Sequence, residues 1–273
     1  MKRTKNTLPI LCVLAVLLLV SGCKSNSAQA GAAENDGSLQ KVLDAGQLVL
    51  GLDASYPPMG FTDASGEIVG FDIDMAQEVC DRLGIRLVKQ PINWDSKEDE
   101  LNSGRIDCIW NGLSVTPGRA ESMCLSEPYI KNELIFVVPE SCRASTPRDL
   151  KGMTVGVQSG STTQEVIEAS ELYPDITVVA FDDNLLLLQQ LGQGGVDAAF
   201  VDSIVAFYFI SSSEERYFVL DNSLSEEECA VGFRKSDREL RDRVQELISE
   251  MKADGTLGNI SRKWFGSDIT TVR

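Results

Sequence analysis

Short apolar runs alternate with amphipathic stretches along this chain, and the alternation starts twice. Gln47–Leu52 reads as a strand, stopped by Asp53-Ala54-Ser55-Tyr56-Pro57-Pro58. Gly70-Phe71-Asp72 opens a helix with Asp72 as its N-cap; Met75, Val79 and Leu83 share one helical face, and Gly84 ends it. Residues 85–87 form a second strand, 94–101 a short helix and 106–110 a third strand. Strands separated by helices call for a parallel sheet, because the helix is the crossover between two strands that run the same way. The pattern then restarts. Residues 134–138 and 153–157 are apolar and extended, and Gln158-Ser159-Gly160-Ser161-Thr162-Thr163 is a polar turn opening a helix. Thr177–Phe181 is a strand, 183–191 a leucine-rich helix and 196–201 a strand that stops at Asp202. Residues 229–233 form one more strand. Leu240, Val244, Leu247, Ile248 and Met251 then mark a helical stripe that ends at Asp254-Gly255. The chain therefore reads as two α/β lobes.

Chemistry concentrates between residues 106 and 129, IDCIWNGLSVTPGRAESMCLSEPY. The apolar strand gives way to Asn111-Gly112, and Ser114, Thr116 and Arg119 follow within a few residues. Pro117 and Gly118 restrict the backbone between them, so a rigid loop presents hydroxyls and one guanidinium. A guanidinium is a planar fork of donors that matches two carboxylate oxygens, a match lysine cannot make. The spacing equally allows a surface Arg119 paired with Glu121 or Glu127.

Charge narrows the field of functions. The formal net charge is −16, which disfavours nucleic acid as a partner because phosphate binding needs a basic face. There is no histidine, so the commonest general base and transition-metal ligand is missing, and no CxxC pair is present. No metal and no cofactor is expected. At 43% hydrophobic residues the chain has enough apolar surface for real cores.

The first 22 residues read as a targeting segment. Lys2, Arg3 and Lys5 form a basic head, and residues 8–20 are apolar but too short to span a bilayer, which takes ~20 residues. Val20-Ser21-Gly22-Cys23 resembles the bacterial lipoprotein signal, in which the cysteine is lipidated and becomes the new N-terminus. Residues 23–38, rich in Ser, Ala, Asn and Gly, read as the lipidated Cys23 and a flexible tether. Of the five later cysteines, Cys80 and Cys108 fall in apolar patterns and read as core thiols. A bridge between Cys124 and Cys142 is open outside the cytoplasm.

Seven collinear motifs carry a resemblance to the bacterial extracellular solute-binding proteins of family 3, which deliver polar amino acids to ABC transporters. They are Asp53-x-x-Tyr56-Pro57-Pro58, the GxxVGFDIDMA-like run at 66–76, IDCIWNGLSVTPGR, the SEPY turn, VGVQSGST, VDAAFVD and MKADGT. The resemblance spans residues 43–265. It implies a type II periplasmic-binding-protein-like fold, with two α/β lobes joined by a two-strand hinge. Lobe 1 would be 39–134 plus 229–273, and lobe 2 would be 135–228.

The same resemblance implies a site. Arg119 matches the arginine that clasps the ligand α-carboxylate, Ser114 the serine of the same loop, and Gly112 a position whose backbone approaches the ligand. Ser161 and Thr162 match the helix N-terminus that meets the same carboxylate, and both also suit plain helix capping. Asp202 matches the acid that holds the α-ammonium, with an N-cap as its bland alternative. Tyr56 and Trp94 match positions that sandwich the ligand side chain, or are core aromatics. Asp53 matches an acid that meets the distal charge of cationic ligands, and Asn111 could supply an amide. Lys97 and Trp110 depart from the family's usual smaller or uncharged residues. Pointing inward, Lys97 would disfavour a cationic ligand; pointing outward it would be solvated. The implied partners are an amino acid, a membrane permease and, through the lipid, the outer face of the cell membrane or the periplasm; a monomer is expected. A few relatives are dehydratases acting on a carboxylated ring, for which Asp53, Glu98 or Asp202 would be the acidic catalyst, and a third reading is a ligand-sensing module.

Overall fold

The computed structural model describes residues 36–272. The targeting segment, Cys23 and nearly all of the tether lie outside the described residues. In chain order the elements are α1 (Ser38–Ala45), β1 (Gln47–Leu52), β2 (Ser55–Tyr56), β3 (Gly60–Thr62), β4 (Ile68–Val69), α2 (Phe71–Leu83), β5 (Arg86–Pro91), α3 (Lys97–Asn102), β6 (Cys108–Ser114), α4 (Pro117–Ser122) and β7 (Met123–Leu125). They continue with β8 (Ile130–Pro139), β9 (Thr154–Gln158), α5 (Thr162–Ala169), β10 (Thr177–Phe181), α6 (Asn184–Gln193), β11 (Ala198–Asp202), α7 (Ser203–Ser212), β12 (Tyr217–Val219), β13 (Ser225–Arg234), α8 (Arg238–Ala253) and α9 (Thr256–Phe265).

One mixed sheet runs through the molecule in the order β10-β9-β11-β8-β13-β6-β1-β5, with β12 also paired to β8 and β7 to β13. At one end β5, β1 and β6 are parallel, and at the other β10, β9 and β11 are parallel. The long strands β8 and β13 sit between the two sets and pair antiparallel with each other. Each parallel set is an α/β lobe in its own right, as the doubled alternation requires, and β8 and β13 carry the backbone from one to the other.

Packing follows the apolar periodicity. In α8, Leu240, Val244, Leu247, Ile248 and Met251 are all buried, each worth ~1.5–3 kcal/mol against leaving it exposed. A separate apolar cluster holds the second lobe, with Phe136 and Phe200 stacked at 4.4 Å between ring centres beside Leu150, Val155 and Ile167. The five described cysteines are free, including Cys124 and Cys142.

Several local expectations are corrected. The third strand extends through Ser114 rather than stopping at Trp110, because Asn111 to Ser114 are buried and Leu113 and Ser114 pair with β13. The expected loop around Arg119 is a short helix, α4, with Thr116 capping the Arg119 amide at 3.2 Å. Asp72 does not cap α2; Gly70 occupies that position, and the fully buried Asp72 carboxylate reaches across to β6. Helix α7 was not anticipated, since Ile204-Val205-Ala206-Phe207-Tyr208-Phe209-Ile210 is apolar on every side and shows no helical period.

Candidate functional site

In an α/β sheet, the loops beyond the carboxyl ends of parallel strands are where ligand groups collect. Here β1 ends just before Asp53, β6 ends at Ser114, β9 at Gln158 and β11 at Asp202. These four strand ends meet around one narrow cavity of about 20 Å³. Asp53, Tyr56, Trp94, Asn111, Gly112, Ser114, Arg119, Ser161, Thr162 and Asp202, all ten of the residues singled out in the sequence, line it. Gln158 and Thr163 line it too and were missed. A signal for Gln158 was available, since it ends its strand as Asp202 does.

Arg119 is 4% exposed, which removes the surface pairing with Glu121 or Glu127. Its Nη1 donates to the Ser114 carbonyl at 2.9 Å and to Thr162 Oγ1 at 3.3 Å. Its Nη2 is buried with no partner among the described residues. Burial holds the guanidinium below its ordinary pKa, while Glu165 and Glu227 act the other way. Thr162 Oγ1 donates to Ser114 Oγ at 2.9 Å, and Ser114 Oγ donates to Glu227 Oε2 at 2.8 Å. The N-terminal end of α5 stands beside this chain. Ser161 caps it by accepting from the Gln164 amide, so capping and cavity lining occur together. A cation with a free donor beside a helix N-terminus suits one small anion.

Asp202 accepts from Asn132 Nδ2 and from the Tyr56 hydroxyl. It occupies the N-cap position of α7, but its side chain makes no cap bond and turns to the cavity instead. Burial raises its pKa, against those two donors. Asn111 Oδ1 accepts from the Asp53 amide at 3.0 Å, and Asn111 Nδ2 is buried with no partner. Gly112 has φ +60°, and a Cβ there would lie 2.8 Å from Tyr56 Cε1, so glycine is required on both counts. Its amide donates to Asp72 Oδ2 at 2.7 Å. Lys97 is neither solvated nor part of the cavity lining: it is buried against Trp94, its Nζ 5.3 Å from the ring centre. It donates to the Gly160 carbonyl at 2.8 Å and to the Trp94 carbonyl at 3.2 Å.

Burial pushes three carboxyls up: Asp53 to about 6, Asp72 to about 7 and Glu227 to about 7. Hydrogen-bond donors oppose the shift at each, and Asp202 adds to it at Glu227. A carboxyl raised in the folded state contributes stability that is fully present below its unfolded value, 3.8 for Asp and 4.5 for Glu. That contribution is lost as pH rises through 6 to 7. The melting temperature of the ligand-free protein is therefore expected to fall between pH 5 and pH 8, and Glu227→Gln to flatten the fall. A thermal melt series checks this; a profile that rises over that window would contradict it.

The fold and the cavity define a two-lobed protein of the periplasmic-binding-protein type. Residues 48–267 match the family described as bacterial extracellular solute-binding proteins, family 3, and the chain belongs to that family. It is 32% identical over 238 residues to the L-cystine-binding protein TcyJ of Escherichia coli (strain K12), covering 86% of this chain and 89% of that one. It is 32% identical over 256 residues to the arginine-binding extracellular protein ArtP of Bacillus subtilis (strain 168), covering 92% and 97%. The crystal structure of an ABC uptake transporter substrate-binding protein from Streptococcus pneumoniae with bound histidine superposes with a TM-score of 0.82 at 35% identity, covering 87% of this chain and 99% of that one.

Proposed function

We propose that this protein binds one amino acid in the cleft and delivers it to the permease of an ABC importer. The observation that carries the reading is the buried Arg119 with an unpartnered Nη2, set beside Ser114 and the N-terminal end of α5. In this reading Arg119, Ser114 and Thr162 hold the α-carboxylate, with Ser161 positioning the helix end. Asp202 holds the α-ammonium. Gly112 lets the backbone come close, and Asp53, Tyr56, Trp94 and Asn111 surround the side chain. Residues 39–134 with 229–273 form one moving lobe and 135–228 the other, bending where β8 and β13 cross. Contacts to the ligand from both lobes exist only in the closed form, so their free energy drives closure. The protein works as a monomer, and Cys23 carries the lipid that holds it outside the cytoplasm.

The cleft performs no chemistry in this reading. Of the acids a dehydratase would draw on, Glu98 does not line the cavity, and Asp53 and Asp202 are both engaged by hydrogen-bond donors. The test is a thermal-shift screen of residues 24–273, stripped of carried ligand, against the twenty amino acids and cystine. A ligand at a hundredfold excess over its Kd should stabilise the fold by ~2.7 kcal/mol. No shift with any amino acid, together with turnover of a ring carboxylate, would replace this reading with the enzymatic one.

A further inference from the structure

The charges around the cleft bear on which side chains it admits, given the α-carboxylate and α-ammonium positions just proposed. The lining left for the side chain includes Asp53, Trp94, Asn111 and Gln158. Asp53 is the acid there that would meet a cation, yet both its oxygens are engaged by neutral donors. Oδ1 accepts from the Ser55 amide at 2.8 Å and Oδ2 from Gln158 Nε2 at 2.7 Å. Gln158 is itself fixed, because its Oε1 accepts from Asn184 Nδ2 at 2.6 Å. A guanidinium or ammonium would have to break or share this chain. Burial also pushes the Asp53 carboxyl to about 6, so its charge is costly to keep.

The second feature is Lys97. Its ammonium is buried over the Trp94 ring, and its hydrogen bonds go to two neutral carbonyls, those of Trp94 and Gly160. The charged groups around it are Arg119 of α4, Glu98 on its own helix, Glu165 of α5 and Asp95 of the turn before α3. Burial, with Arg119 adding to it, lowers its pKa to about 8, which leaves it largely charged at neutral pH. A lysine usually escapes such a place by extending its stem to water. Here the Gly160 turn closes over it: a Cβ on Gly160 would lie 2.8 Å from Asp95 Cα, so the two segments touch backbone to backbone. The charge is fixed 5.3 Å from the centre of a ring that lines the cavity. In a partly desolvated cleft, like charges repel far more strongly than in water.

We propose that the cleft selects amino acids whose side chain carries no net positive charge, and that Lys97 is a specificity-determining residue acting from beside the Trp94 ring. This rests on the amino-acid reading above. The test is calorimetric titration of the ligand-free protein with the twenty amino acids, with cystine and with citrulline, which keeps the length of arginine but replaces the guanidinium by a neutral urea. Citrulline should bind at least tenfold tighter than arginine. Lys97→Met should shrink that ratio at least fivefold, and Lys97→Arg, which keeps the charge, should preserve it; a purely structural role for the lysine would change both affinities alike. Where citrulline binds too weakly to measure, glutamine against lysine supplies the neutral and cationic pair. A best ligand that is arginine or lysine overturns the inference, as does an unchanged ratio in Lys97→Met. The wild-type ratio decides the selectivity of the cleft even where the variants fail to fold, and the paired variants decide the role of Lys97. Failure of all twenty amino acids and of cystine to bind removes the amino-acid reading itself, a different outcome from either.

Discussion

Arg119→Met is expected to lose amino-acid binding while remaining folded. The side chain is buried, one of its terminal nitrogens already serves Ser114 and Thr162, and the other has no partner. A ligand carboxylate placed against it would form a desolvated, charge-assisted pair. Removing one member of such a pair costs ~2–5 kcal/mol, which is about thirtyfold to several thousandfold in Kd. The free protein should suffer much less. In the absence of ligand the guanidinium is a buried cation with burial working against its charge, so a methionine of similar length removes an electrostatic cost as well as two hydrogen bonds. Calorimetry on the variant, with a melt of the ligand-free form alongside, reads both effects. Wild-type affinity in Arg119→Met would place the carboxylate elsewhere in the cleft.

Asp72→Ala is expected to damage the fold. Asp72 is fully buried and accepts from the Gly112 amide at 2.7 Å and from the Tyr129 hydroxyl at 2.9 Å. Alanine leaves both donors in an apolar surround, among Phe71, Trp110 and Tyr129. At ~1–3 kcal/mol for each stranded donor, the loss should be about 2–5 kcal/mol, a large part of the stability of an ordinary domain. Asp72→Asn keeps one acceptor and should lose about half as much. Urea unfolding of the ligand-free proteins measures the difference. A loss below ~1 kcal/mol would mean that the two donors find other partners. The binding site is exposed to the same change, because Asp72 holds the backbone at Gly112, where the left-handed conformation brings β6 against Tyr56.

The two residues differ in how readable they were. Arg119 stands in a motif, Thr116-Pro117-Gly118-Arg119, whose turn chemistry and single guanidinium announce an anion site, although the spacing alone allowed a surface ion pair. Asp72 stands at the head of a helix, where an acid is ordinarily a cap. Nothing local distinguishes a carboxylate that turns back to its own helix from one that crosses 40 residues of chain to reach Gly112. Lys97 is a similar case. A lysine on a short helix is normally solvated, and only the approach of the Gly160 turn from the other lobe buries it.

By itself the sequence determined the doubled strand–helix alternation, the faces that are buried and the strand ends where polar residues gather. These follow from local rules, the period of apolar residues and the preference of Gly, Pro, Asp and Ser for the ends of elements, which act over a few positions. The ten cavity-lining residues were legible as a set only through the motifs that resemble the family. The tertiary structure decided the rest. Extending β6 through Ser114 needed the pairing with β13, and Asp53 acquired its bond to Gln158 from a strand end more than a hundred residues away. Which donors in the cleft are left unpaired, and which charges are sealed in, depends on surfaces that the two lobes bring together. Such pairings are set by packing geometry and desolvation, and no short window of sequence contains both partners.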